Sequence, residues 1–185
     1  MPDASAPNRS AASDPATSTA PPRSGASGSG ATERIRRMWD TLAPKPGGRR
    51  LFSWLVGRTA PYSGTIGARV EELREGYARV SMRDRRRVRN HLRSVHAVAQ
   101  FNLAEETSGL AIVYSMPAGL RGIPVHLEID YDKKARGTIT AVCELEHPIP
   151  VPSGEERVSY EAPIVLTDPD GDVVSRVRVR WVIGR

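Results

Sequence analysis

From Val95 to Met116 the chain runs through a long apolar segment in which Val98, Phe101, Leu103, Ala104, Leu110, Ile112 and Val113 cover nearly every face of a helix. A helix that is apolar all round has to be enclosed by other structure. Beyond Pro117 the sequence period changes to two, and the enclosing material follows. Val125, Leu127, Ile129 and Tyr131 alternate with His126, Glu128, Asp130 and Asp132, the pattern of a half-buried antiparallel strand. Gly137 separates it from a second strand carrying Ile139, Ala141, Cys143 and Leu145. A third is expected around 158–166. The last runs from Val173, with Val177, Val179, Trp181 and Ile183 on one face and Arg176, Arg178 and Arg180 on the other.

Ahead of the long helix, Ile66, Ala68 and Val70 alternate with polar neighbours, and Glu75-Gly76 reads as a turn into Tyr77–Met82, which predicts a β-hairpin. Further upstream, Thr32 is read as an N-cap, followed by Ile35, Met38, Trp39 and Leu42 at helical spacing. Pro44 and Pro46-Gly47-Gly48 stop that helix. A second short helix carries Leu51, Phe52, Trp54 and Leu55 between Arg49, Arg50 and Arg58. Basic residues beside an aromatic face suit an interfacial anchor, but so short an apolar face favours packing against the domain. Pro61-Tyr62-Ser63-Gly64 is read as a loop. The order is helix, helix, hairpin, buried helix, then about four antiparallel strands. One long central helix wrapped by a curved antiparallel sheet, with extra N-terminal helices, satisfies that order: an α+β class, the hotdog architecture.

The first 31 residues hold no Leu, Ile, Val, Phe, Tyr or Trp. Such a stretch cannot bury enough apolar surface to offset its ordering entropy, so it is expected to be a disordered tail. It has no apolar region of a secretory signal. Residues 32–185 form the expected domain, of which about 32–60 are the helical extension. In the tail Arg9 and Arg23 are balanced by Asp3 and Asp14, so the domain carries the whole net charge of +6. That surplus suits an anionic partner. The single cysteine, Cys143, rules out an intrachain disulfide and a cysteine-based zinc site. No stretch approaches the ~20 apolar residues of a membrane span, and a cytoplasmic location is expected.

Within the long helix, Glu105 lies one turn after Phe101 and two turns before Ile112. A carboxylate placed there needs a partner or a task, because burying it unpaired is costly. The stretch Asn90-His91-Leu92-Arg93-Ser94-Val95-His96-Ala97-Val98, continuing to Leu103-Ala104-Glu105-Glu106, resembles the signature of the phenylacetyl-CoA-thioesterase branch of hotdog proteins. In that branch an Asn precedes a His-Gly-Gly helix start, and Leu-Ala with an acid follows about two turns on. Asn90, His96 and Glu105 stand at the matching places. Pro61-Tyr62, the run Arg85–His91 and Lys133-Lys134-Ala135 are similar to an uncharacterised hotdog family within the same superfamily, over roughly residues 33–185.

The resemblance implies hydrolysis of an acyl-CoA or acyl-carrier-protein thioester at a dimer interface. Glu105 would be base or nucleophile, the amides of Ala97 and Val98 would polarise the thioester carbonyl, Asn90 would orient water or substrate, and His96 would order the helix start. It also implies a homodimer or homotetramer, and a reaction needing no metal or redox cofactor beyond the coenzyme A of the substrate. Two departures stand out: Ala97-Val98 replaces Gly-Gly, and the acid is Glu, with Glu106 beside it as a second candidate.

The residues also carry plainer readings. Glu105 could be a structural carboxylate paired with an arginine across a dimer. His96 reads better as a cap than as a general base, and Asn90 could cap its own loop. Thr107 and Ser108 form no readable triad. The run Arg83–Arg89 is a solvated loop, a cradle for coenzyme A phosphates through Arg87 and Arg89, or a nucleic-acid contact. The last is the weakest, because Arg85–Arg89 has no interleaved aromatic residue for stacking on bases. Lys133 and Lys134 could join the phosphate site. Asp168, Asp170 and Asp172 read as a hairpin turn, since Val173 and Val179 stand where a calcium loop needs Gly and Glu. Two functions follow: a thioester hydrolase, or a non-catalytic acyl-CoA or lipid-binding protein on the same fold.

Overall fold

The apolar segment forms one helix. In the computed structural model, which describes residues 28–185, α4 spans Ala97–Ser115 and buries Leu103, Ala104, Thr107, Ser108, Ala111 and Ile112. The first 27 residues, most of the expected tail, lie outside the described residues. Pro117 sets the end of α4, because the residue before a proline is driven to extended backbone, as Met116 is at φ −68 and ψ 129. Two of the polar side chains buried in the helix, Gln100 and Thr107, have partners. Thr107 Oγ1 donates to Leu103 O at 2.6 Å, and Ser175 Oγ of the sheet donates to Gln100 Oε1 at 3.1 Å. Burial therefore leaves no cost at those groups.

Six antiparallel strands wrap this helix: β1 (Arg69–Arg74), β2 (Tyr77–Met82), β3 (Arg121–Tyr131), β4 (Ile139–Glu144), β5 (Val158–Thr167) and β6 (Val173–Gly184). Their order in the sheet is β1-β2-β4-β5-β6-β3. The inward positions of β4, β5 and β6 alternate as the sequence predicts, burying Ala141, Cys143, Ala162, Ile164, Val177, Val179 and Ile183 against α4. This is the hotdog fold. The β5–β6 turn is the hairpin expected at Asp168–Asp172, with Asp168 Oδ1 accepting from the amides of Asp170 (3.1 Å) and Asp172 (3.0 Å).

Three local expectations are corrected. Leu127 and Ile129 are partly buried as predicted, but Val125 and Tyr131 are 50% and 47% exposed. Strand β3 ends the sheet, pairs only with β6, and shifts register between Pro124 and His126, so one flank has no neighbour. Thr32 is not an N-cap. Helix α1 runs Gly28–Leu42, and Thr32 shares a buried face with Ile35 and Trp39, which draws it into the helix. Pro61–Gly64 is a helical turn, α3, rather than a loop. Pro61 is its first residue, where a missing N–H costs nothing.

Helix α2 (Gly48–Thr59) packs Phe52 and Val56 inward, and Phe52 meets Trp39 edge to face with centroids 5.0 Å apart. Its other face leaves Trp54 61% exposed. Two glycines join α2 to α3: a Cβ on Gly64 would lie 2.4 Å from the Gly57 carbonyl oxygen. Only a glycine pair allows that approach.

Candidate functional site

The start of α4 is fixed by the loop before it. Asn90 Oδ1 accepts from the amide of Leu92 (2.9 Å) and from both the amide (3.2 Å) and hydroxyl (3.1 Å) of Ser94. This holds a tight turn in which Arg93 takes φ 56, a left-handed conformation uncommon outside glycine. The chain then ties back through the His96 amide to Val88 O at 2.7 Å. His96 caps the helix: its Nδ1 accepts from the Val98 amide at 3.1 Å. The capping reading of His96 therefore matches the geometry. The same bond corrects the expectation for Val98, whose amide was to share the work of polarising a carbonyl. That N–H is already used by the cap, and the Val98 side chain is exposed. The Ala97 amide takes no part in the cap, and its carbonyl accepts from the Tyr131 hydroxyl at 3.2 Å.

Three cavities follow one another along the outer face of α4. The first, about 390 Å³, lies at the helix start and is lined by His96, Val98, Asn102, Tyr62 and Arg87. The second, about 660 Å³, lies under α2 and α3, with Arg50, Arg58, Arg69, Arg87 and Trp54 around it and Glu106 on α4. Thr65 and Arg87 border both. The third, about 230 Å³, is the most apolar, with Val56, Leu110, Val113 and Trp181 beside Glu105 and Glu106; Ser63 and Glu106 join it to the second. The helix itself explains the alignment, because Val98, Asn102 and Glu106 are spaced at i, i+4 and i+8 and share one face.

Both acids thus open on the apolar cavity. Glu106 is the more enclosed in its chemistry. Its Oε2 is buried without a hydrogen-bond partner. Burial, and then the nearby charge of Glu105, push its carboxyl up to about 7. One turn earlier, Asn102 is 3% exposed, with its Oδ1 unpartnered and its Nδ2 donating to Tyr62 O at 3.4 Å. The thiol of Cys143 offers no alternative nucleophile, since it lies in the core and burial pushes it up to about 12.

The basic residues named from the sequence divide. Arg87 reaches two cavities and Arg89 the first, although Arg89 Nε is held by Asp84 at 2.6 Å. Lys133 is tied to the β5–β6 turn, 2.8 Å from Asp168 and 2.6 Å from Asp172, which raises its ammonium to about 12. Lys133, the exposed Lys134 and Asn90 line none of the three cavities. Sequence reading missed Asn102 and the convergence of Arg50, Arg58 and Arg69. The helical spacing of Asn102 before Glu106 was the available signal; the arginines come from two elements, α2 and β1, and gave none.

Fold and site together define a hotdog protein with an acid pair on its central helix. The chain belongs to the family of the domain of unknown function DUF4442, which matches residues 48–183. No curated protein matches it. Among solved structures it is similar to the structural-genomics protein APC5556, at 30% identity and TM-score 0.69, covering 83% of this chain and 97% of that one. It is similar in fold to a mutant of a thioesterase enzyme from Staphylococcus aureus (15% identity, TM-score 0.59, 68% and 99% covered). The same holds for the E. coli PaaI protein of the phenylacetic acid degradation operon (17%, TM-score 0.55, 74% and 95%). No helix among the described residues is long and apolar enough to cross a membrane.

Proposed function

We propose that this protein hydrolyses the thioester of an acyl-CoA or acyl-carrier substrate, with Glu105 as the base that activates water or as the attacking carboxylate. One observation carries the reading: Glu105 and Glu106, on an otherwise buried helix, both face an apolar cavity walled by Val56, Leu110, Val113 and Trp181. An acyl chain fits that lining, and a carboxylate beside it can act on the bond at its end. A thioesterase among the proteins of similar fold supports the same class.

The Ala97 amide, at the positive end of the α4 dipole, would stabilise the oxyanion. Ala97 and Glu105 are eight residues apart on one helix, so about 12 Å separates them along its axis at 1.5 Å per residue. One thioester cannot meet both. The reaction therefore requires Ala97 from one copy and Glu105 from another, which makes the working unit a homodimer or a higher even assembly. Neither a metal nor a redox group has a step to perform.

A second reading, an acyl-CoA or lipid binder without turnover, is favoured by the Val98 amide being held by His96. Release of free thiol from a panel of short-, medium- and long-chain and aromatic acyl-CoAs separates the two. Turnover abolished in Glu105→Ala supports hydrolysis. Saturable binding with no release across the panel supports the binder, and turnover that survives the substitution removes Glu105 from the chemistry.

A further inference from the structure

The central cavity has a feature that neither thioester chemistry nor folding accounts for. Four arginines from three segments of the chain, Arg50 and Arg58 on α2, Arg69 on β1 and Arg87 in the turn before α4, border one space of about 660 Å³. Arg50, Arg58 and Arg87 form no ion pair among the described residues. Arg69 has only a long contact to Glu71, 3.5 Å, and its Nε is buried without a hydrogen bond. The carboxyl lining the same cavity, Glu106, is bonded to none of them. Three other cations, Arg89, Lys133 and Arg178, hold carboxylates within 3.0 Å. Cations gathered round a cavity and left unpaired repel one another, and an anion resolves that repulsion.

We propose that the central cavity is a binding site for a phosphate-bearing ligand, held by Arg50, Arg58, Arg69 and Arg87, with a planar ring of the ligand laid against Trp54. Guanidinium groups match phosphate oxygens through paired hydrogen bonds, which favours phosphate over a single carboxylate. Trp54 lines the cavity and exposes 61% of its surface, leaving a ring face free for stacking. The roof is the α2–α3 junction closed by Gly57 and Gly64, so the site is built within one protomer. It is joined through Arg87 and Thr65 to the helix start, and through Ser63 and Glu106 to the apolar cavity. A ligand with phosphates here can thus reach both. In identifying the phosphate as part of a thioester's carrier, the proposal rests on the hydrolase reading; as a binding site it stands without turnover.

The test is calorimetric binding of inorganic pyrophosphate and of adenosine 3′,5′-bisphosphate to the full chain. Neither probe has an acyl group, so a failed hydrolysis assay does not affect the result. Both should bind in a salt-dependent manner to wild type and to Glu105→Ala. Arg58→Ala/Arg87→Ala alters two exposed residues and should weaken both probes by roughly tenfold or more per arginine. Arg176→Ala/Arg180→Ala, on the exposed face of the sheet, removes the same charge and should leave binding unchanged. Trp54→Ala should weaken the nucleotide by roughly fivefold or more and spare pyrophosphate. Equal losses in the two arginine pairs would reduce the effect to net charge and overturn the site. So would the absence of binding by either probe. Retention on phosphatidylglycerol vesicles without soluble-probe binding would assign the arginines to a lipid surface instead, and would likewise overturn it.

Discussion

The Val98 amide donates to Nδ1 of His96 at 3.1 Å, so the side chain that opens the central helix also occupies one of its free N–H groups. An N-cap bond of this kind contributes about 1 kcal/mol. His96→Ala should lower stability by about that amount in urea unfolding, whereas His96→Asn should restore most of it, because a short amide accepts from the same N–H. A histidine acting only as a general base would show the reverse: no stability change with Ala and no rescue with Asn.

Glu106 gives the fold a pH dependence of known sign. Its carboxyl is raised to about 7, first by burial and then by Glu105, so the native state holds a proton that the unfolded chain releases near 4.5. The stabilising contribution is complete below the unfolded value and disappears as pH rises through about 7. Across that interval the difference is about 2–3 kcal/mol. Glu106→Gln should flatten unfolding free energy measured between pH 5 and 8.5 and stabilise the alkaline end. A wild-type profile that rises with pH over that interval would contradict the burial.

The glycine pair under α2 and α3 makes a third, purely steric prediction. A methyl on Gly64 would sit 2.4 Å from the Gly57 oxygen, well inside contact distance. Gly64→Ala must push α3 away from α2, at a cost of about 1–3 kcal/mol. Both glycines line the arginine cavity, so the displacement should also change ligand protection there. Thermal unfolding with and without pyrophosphate reads both effects at once.

How much of this could be seen in the sequence depended on whether the cause was local. The central helix was legible because Leu103, Leu110 and Ile112 leave it no polar side and Pro117 ends it. The sheet was legible because Val177, Val179 and Trp181 alternate with arginines, and alternation is a property of the strand itself. Exposure of Val125 and Tyr131 was not, because being the last strand of the sheet is decided by β6 and by which neighbours are absent. Asn90, His96 and Glu105 could be named as candidates, but not the use of the Val98 amide, which depends on the His96 rotamer. The cavity of Arg50, Arg58, Arg69 and Arg87 stayed hidden for the plainest reason: only the folded chain brings three separate segments together.

The helix geometry also makes a prediction about assembly. If oxyanion donor and acid come from different copies, they can be removed separately and recombined. Ala97→Pro deletes the amide proton while keeping the helix, since proline is accommodated at the first helical position and His96 before it is already extended at ψ 141. Loss of one such donor costs roughly 10²–10³-fold in turnover. Ala97→Pro and Glu105→Ala should each be nearly inactive alone. Unfolded together in equal amounts and refolded, half of the dimers are mixed, and each mixed dimer holds one site with an intact Ala97 facing an intact Glu105. Activity should return to about a quarter of wild type, as the symmetry of a two-fold dimer requires. Recovery near that level places the two groups in different protomers. A mixture as inactive as its components, with mixed dimers verified by mass spectrometry, would mean that the acid and the donor act from the same protomer, and would overturn the two-copy arrangement.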